Sequence, residues 1–129
     1  MDPSQELFTA MRQRLIELFG EGNVYDTFLP PEGTPYPFAY IAESWLDDEP
    51  NKGAVFGRVH QVVHFWHNNP KKRGTLTNMM LQTKQKAHAL SKTDNFMWMH
   101  LSTRQRILTD NTTAQPLLHG VLELEFKFS

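Results

Sequence analysis

The segment Leu117-Leu118-His119-Gly120-Val121-Leu122-Glu123-Leu124-Glu125-Phe126-Lys127-Phe128 alternates apolar and polar residues along most of its length. Leu118, Leu122, Leu124, Phe126 and Phe128 fall on one side of an extended chain. His119, Val121, Glu123, Glu125 and Lys127 fall on the other, because successive side chains of a strand point to opposite faces. Such a strand belongs to a sheet that is covered on one face and polar on the other. The cover has to come from amphipathic helices, and the chain offers two.

The first helix is expected over residues 3 to 19. Leu7, Phe8, Met11, Leu15, Leu18 and Phe19 recur at helical spacing and make one apolar face. Asp2 suits the N-cap, Pro3 the first helical position and Gln5 the capping-box position. Gly20 and Gly22 end the helix. The second helix is expected from Lys72 to Ser91, with Gly74 in a ragged first turn. Leu76, Met79, Met80, Thr83, Ala87 and Leu90 mark its buried side.

The remaining segments read as strands and turns. Asn23 to Leu29 holds a short strand before the turn-rich run Pro30-Pro31-Glu32-Gly33-Thr34-Pro35-Tyr36-Pro37. Phe38 to Leu46 is a strand, and Asp47 to Ala54 an exposed loop. Val55 to His67 is the most β-prone stretch. Val59, Gln61, Val63, Phe65 and His67 share one face, and His60, Val62, His64 and Trp66 share the other. Phe96 to Thr109 is a strand interrupted by the polar set Ser102 to Arg106. The order α-β-β-β-α-β-β predicts an α+β domain: a mostly antiparallel sheet of four to five strands with two helices on one face. A single domain is expected over residues 1–129.

Composition narrows the function. Thirteen Lys and Arg stand against 14 Asp and Glu. A protein that wraps DNA through its phosphates carries a basic excess, so DNA binding is not the expected main activity. The chain has no cysteine, which removes disulfides, thiolate metal sites and thiol nucleophiles. No apolar run approaches the roughly 20 residues that span a bilayer. The first residues lack the pattern of a signal peptide, so a cytoplasmic protein made and folded without export is expected.

Catalytic and metal motifs are missing from the sequence. His60, His64 and His67 form the one histidine cluster, but in a strand His60 and His64 lie about 13 Å apart, and His67 points the other way. No metal and no cofactor are expected. The serines occupy no nucleophile-elbow context, and neither a P-loop nor a dinucleotide fingerprint occurs. A small enzyme is conceivable, for instance one in which His60, His64 and Asp110 converge. The residues that ask for a role are those suited to an interface. They are Pro35 and Tyr36 in the turn, Trp45 and Trp66 on strands, the acidic pair Asp47 and Asp48, and the basic run Lys71, Lys72 and Arg73. Tryptophan on the uncovered side of a sheet favours a partner.

The order of several short motifs is familiar. Val24-Tyr25-Asp26 follows the first helix, and Pro35-Tyr36-Pro37-Phe38 closes the turn. His64-Phe65-Trp66-His67-Asn68-Asn69 ends a strand, Arg73-Gly74-Thr75 opens a helix, and Leu118 to Phe126 closes the chain. This arrangement resembles the tail-completion, or tail-terminator, family of long-tailed siphophages, especially those of Gram-positive bacteria. The resemblance covers nearly the whole chain. It implies a non-enzymatic virion protein at the head-proximal end of the tail. Such a protein forms a ring, commonly a hexamer, that caps the tube, halts polymerisation of the major tail protein and meets the head connector. DNA passes through the lumen without sequence-specific binding. Another ring of the head–tail neck, such as a head-completion or stopper protein, fits the same residues. A small nucleic-acid-binding module is the third alternative.

Overall fold

The computed structural model describes residues 2–48 and 56–129. Helix α1 spans Pro3–Phe19 and is followed by a 3-10 turn, Glu21–Asn23. Strands β1 (Val24–Asp26), β2 (Phe38–Asp48) and β3 (Gly57–His67) come next. Helix α2 (Arg73–Ala89) precedes β4 (Trp98–Asp110) and β5 (Leu117–Phe128). The expected α+β order stands.

The five strands form one sheet in the order β1-β2-β3-β5-β4. β1 pairs parallel with β2, and the other three pairings are antiparallel. It follows that β2 and β5 run one way and β3 and β4 the other. β5 inserts between β3 and β4, so the α2 crossover joins two parallel strands that are not neighbours.

Both helices lie on one face. α1 sits over β1, β2 and β3, α2 sits over β3, β4 and β5, and the helices touch each other. Leu7, Met11 and Leu15 of α1 and Leu76, Met80 and Ala87 of α2 are fully buried. They meet Val59, Val63 and Phe65 of β3 and Leu122, Leu124, Phe126 and Phe128 of β5 in one core. Each such large apolar side chain contributes roughly 1.5–3 kcal/mol through the area it removes from water.

Local chemistry sets the element ends. The Asp2 carboxylate accepts from the Gln5 backbone N–H at 3.1 Å, capping α1, while the Gln5 side chain turns to Thr9 instead of closing the box. Gly20 takes the left-handed φ of 90° that stops α1. Gly57 has a different reason: a Cβ there would collide with the Asp47 carbonyl and approach Asp48 Cα and Phe128 Cε1 to 3.1 Å. Only glycine lets β2 and β3 close at that point.

Two expectations need correction. Asp47 and Asp48 belong to β2, paired with Arg58 and Gly57, and not to a loop. The rest of the expected loop, Glu49 to Ala54, lies outside the described residues. Ser102 to Arg106 do not interrupt β4; they pair residue by residue with Glu125 to Val121. They are polar because β4 is an edge strand, and the irregularity is a register shift between His100 and Ser102. Gly74 is the second residue of α2 and so lies in its first turn, as expected.

Candidate functional site

The face of the sheet opposite the helices carries the polar chemistry of the described residues. Antiparallel pairing brings residues that are far apart in sequence into rows across it. Tyr40 of β2 pairs with His64 of β3, Trp45 with His60, and Asp47 with Arg58. On the other side of β3, His60 pairs with Glu125, His64 with Val121 and Trp66 with His119.

Two aromatic stacks anchor the face. Trp45 lies flat on His60, with centroids 4.6 Å apart and planes at 8°. Trp66 lies on His119 at 3.7 Å and 7°. Trp45 remains 43% exposed, and Trp66 is half-buried with an indole N–H that finds no partner among the described residues. The third tryptophan, Trp98, is core: it packs on Phe126 and Phe128 and donates from Nε1 to Thr93 Oγ1 at 2.8 Å.

Each stack carries its own polar network. His64 Nδ1 and His119 Nε2 are 2.6 Å apart, so one donates to the other. His64 Nε2 lies 3.2 Å from Glu43 Oε1. Glu125 sits 3.4 Å from both His60 Nε2 and Arg58 Nη1, and Asp47 is 3.7 Å from His60. Burial, with the nearby charge of His64 and Arg106, pulls the His119 pKa down to about 4, against the opposing pull of Asp110. His119 is therefore neutral at pH 7 and can hold one fixed tautomer.

The sequence-picked residues fall into three groups. Tyr36 and Trp66 come together in a surface pocket of about 230 Å³, beside Phe38, Asp110 and Leu117. Pro35 is exposed on the loop leading into it. Trp45 and Asp47 meet around His60, with Asp48 exposed at the same end of β2. Lys71, Lys72 and Arg73 are exposed beyond the opposite end of the sheet, where β3 finishes and α2 begins. The acidic pair and the basic run thus occupy opposite ends.

His119, Glu43 and Glu125 were absent from the sequence-picked set. The alternation of Leu117 to Phe128 already placed His119 and Glu125 on the polar face, but only the β3–β5 register pairs them with His64 and His60. His60, His64 and Asp110 do not converge. His64 turns to His119 and Glu43, while Asp110 binds Thr112. His67 is buried among the core elements, and among the described residues no three His, Asp or Glu side chains are placed to hold a metal. The hydrogen bonds of His64 run to imidazole and carboxylate, with no hydroxyl joined to them among the described residues. Chemically, the arrangement orients and stiffens a face.

Comparison with known proteins places the fold. No protein-family model matches the sequence, and no curated protein matches it. Among solved structures, the chain is similar to one from a structure described as the virion of a native gene transfer agent particle. The TM-score is 0.69 at 14% identity, covering 95% of this chain and 96% of that one. A second solved chain matches with TM-score 0.60 at 13% identity, covering 99% and 97%. At such identities the shared property is the fold. It is shared end to end, with both chains of nearly the same extent.

Proposed function

We propose that this chain is a structural, non-enzymatic virion protein of a tailed phage or phage-like particle. In this reading it closes the tail tube as a ring, ends polymerisation of the major tail protein and meets the head connector. The observation that carries the reading is the end-to-end likeness to a chain from a virion particle. That chain supplies an assembly context for a fold whose sequence resembles tail terminators. The separation of the acidic end, Asp47 and Asp48, from the basic end, Lys71 to Arg73, supports it further. A ring between a tube and a connector meets a different partner at each end, and a subunit with two unlike ends suits that position.

The test is the mass of the purified protein by light scattering across concentration, with and without tubes of the cognate major tail protein. A closed ring, free or on tube ends, with tube growth halted, is the expected outcome. A persistent monomer that leaves tube length unchanged would remove the reading. The description of the similar structure names a particle and no position within it, so a neck ring shares this support. Stable binding to the connector with no effect on tubes would favour that second reading.

A further inference from the structure

The pocket between Tyr36 and Trp66 sits where β2 and β5 begin and β3 and β4 finish. The β1–β2 connection supplies Glu32 and Tyr36 to its wall, the corner between β4 and β5 supplies Asp110, and Phe38 and Trp66 lie between them. Phe38 pairs with Trp66 and Trp66 with His119, which puts the pocket at one end of the helix-free face. Its volume of about 230 Å³ is below the roughly 300–1,000 Å³ of pockets that hold a whole drug-sized ligand. It suits a single side chain.

The lining combines aromatic rings with negative charge. The Tyr36 and Phe38 rings lie 5.3 Å apart at 30°, and Trp66 is held with one face on His119. Glu32 and Asp110 add two carboxylates, and among the described residues no lysine, arginine or histidine lines the pocket. Neither carboxylate forms an ion pair among the described residues. Asp110 Oδ1 accepts from the Thr112 backbone N–H at 2.9 Å and from Thr112 Oγ1 at 2.6 Å. These bonds fix the carboxyl group and hold it below the usual carboxylate range, so it is charged at pH 7. Its Oδ2 has no hydrogen-bond partner among the described residues. Aromatic faces attract a cation through the ring quadrupole, and the carboxylates add direct attraction. An anion would be repelled, and a neutral apolar group would strip water from two charges without replacing it. Arginine suits the lining better than lysine, because its planar guanidinium stacks on a ring while its N–H groups fork to a carboxylate.

The rim points to a protein as the carrier of that cation. Leu29 on the rim and Phe28 before it are 59% and 79% exposed. A free cation leaves them in water, whereas a docked protein surface covers them. Interfaces anchor in this way, with a buried arginine or aromatic side chain in a pocket and surrounding contacts that exclude water. Lys71, Lys72 and Arg73 are exposed at the same end but do not line the pocket. A partner meeting this end therefore finds two unlike patches side by side.

We infer that the Tyr36–Trp66 pocket is a docking site for an arginine side chain projecting from a partner protein, held between the aromatic rings and the carboxylates of Glu32 and Asp110. This goes beyond the capping reading and does not depend on it, because it states what the pocket accepts, whichever protein meets that end.

The test titrates three probes into the full chain and follows the Trp66 indole N–H and the Tyr36 amide by NMR. The probes are N-acetyl-arginine amide, its neutral isostere N-acetyl-citrulline amide, and an acetylated, amidated leucine-arginine-leucine tripeptide. The arginine amide is expected to shift both signals saturably at millimolar concentrations, and the citrulline amide to leave them in place. Glu32→Gln with Asp110→Asn preserves side-chain size and, at position 110, the acceptor for Thr112. That variant is expected to melt like the parent and to bind the arginine amide roughly fivefold more weakly or worse. The tripeptide is expected to bind roughly fivefold tighter than the amide, and Phe28→Ser with Leu29→Ser to remove that gain alone. No saturable shift with arginine, citrulline binding as tightly, or arginine binding unaffected by loss of both carboxylates would overturn the assignment of the pocket. A tripeptide that binds no tighter than the amide would leave a subsite for free cations and overturn the docking. None of these readouts uses tubes or connectors, so the capping reading stands or falls separately.

Discussion

His119 shows how position sets a side chain's chemistry. In the unfolded chain it titrates at its ordinary value of 6.5, and in the fold at about 4. Between those values the unfolded state binds a proton that the folded state refuses. Stability is therefore full above about pH 6.5 and falls as pH drops toward 4. The loss should be on the order of 1 kcal/mol, once solvent screening of a half-buried ring is allowed for. Urea unfolding at pH 7 and pH 5 should show it, and His119→Asn should flatten the difference. Some slope should persist from His100, whose pKa burial also lowers. A pH response unchanged by the substitution would refute the assignment. Gly57 makes a second, steric case. Gly57→Ala forces a methyl group against the Asp47 carbonyl and Phe128, and overpacking of that kind costs about 1–3 kcal/mol. Thermal melts should show the drop, whereas Gly22→Ala, where an added Cβ meets nothing, should not. Neither effect could be read from the sequence. An outward-facing histidine looks the same whether its neighbour across the sheet is a solvated lysine or another imidazole, and register supplies that information.

The elements themselves were far more legible. Helix α1 starts and stops at the residues its capping chemistry predicts, since Asp2, Pro3 and Gly20 act within a few bonds of the backbone they control. β5 spans the alternating segment without change. The errors fell where tertiary context overrides local pattern. Ser102 to Arg106 look like a break because edge strands tolerate polar residues on both faces, and Asp47 and Asp48 look like a loop because the β2 terminus is solvent-exposed. Capping gives an element-level prediction. Asp2→Ala removes the acceptor for the Gln5 N–H and should destabilise the protein by about 1 kcal/mol, with Asp2→Asn retaining most of the stability. Circular dichroism melts of the two variants decide it, and equal losses would mean that the cap is not what holds the helix start. Glu6 has a different job. Its carboxylate accepts from Thr93 Oγ1 and from Asn95, pinning the loop after α2 to α1 and so fixing where β4 enters the sheet edge.

The placement of charge across the fold turns these local facts into an assembly argument. In the proposed ring, with its axis along the strands, both ends of every sheet stay free, one carrying Asp47 and Asp48 and the other Lys71, Lys72 and Arg73. The side-to-side joint and the end-to-end contacts then use separate residues and should fail separately. Replacing Lys71, Lys72 and Arg73 with glutamate changes three exposed side chains, none of which makes an ion pair among the described residues. Fold and ring mass are expected to be unchanged. Binding to whichever partner meets that end, tube or connector, should weaken at least tenfold, and in the unmodified protein the same contact should loosen as salt is raised, because exposed charge contacts are screened. Pelleting assays with purified tubes and with purified connectors, run at low and high salt, identify the partner. Loss of tube binding alone would orient the basic end toward the tail, and loss of connector binding alone would orient it toward the head. Unchanged binding to both would show that the basic run is simply solvated and that the ends recognise their partners through the Tyr36–Trp66 pocket or the Trp45 surface instead.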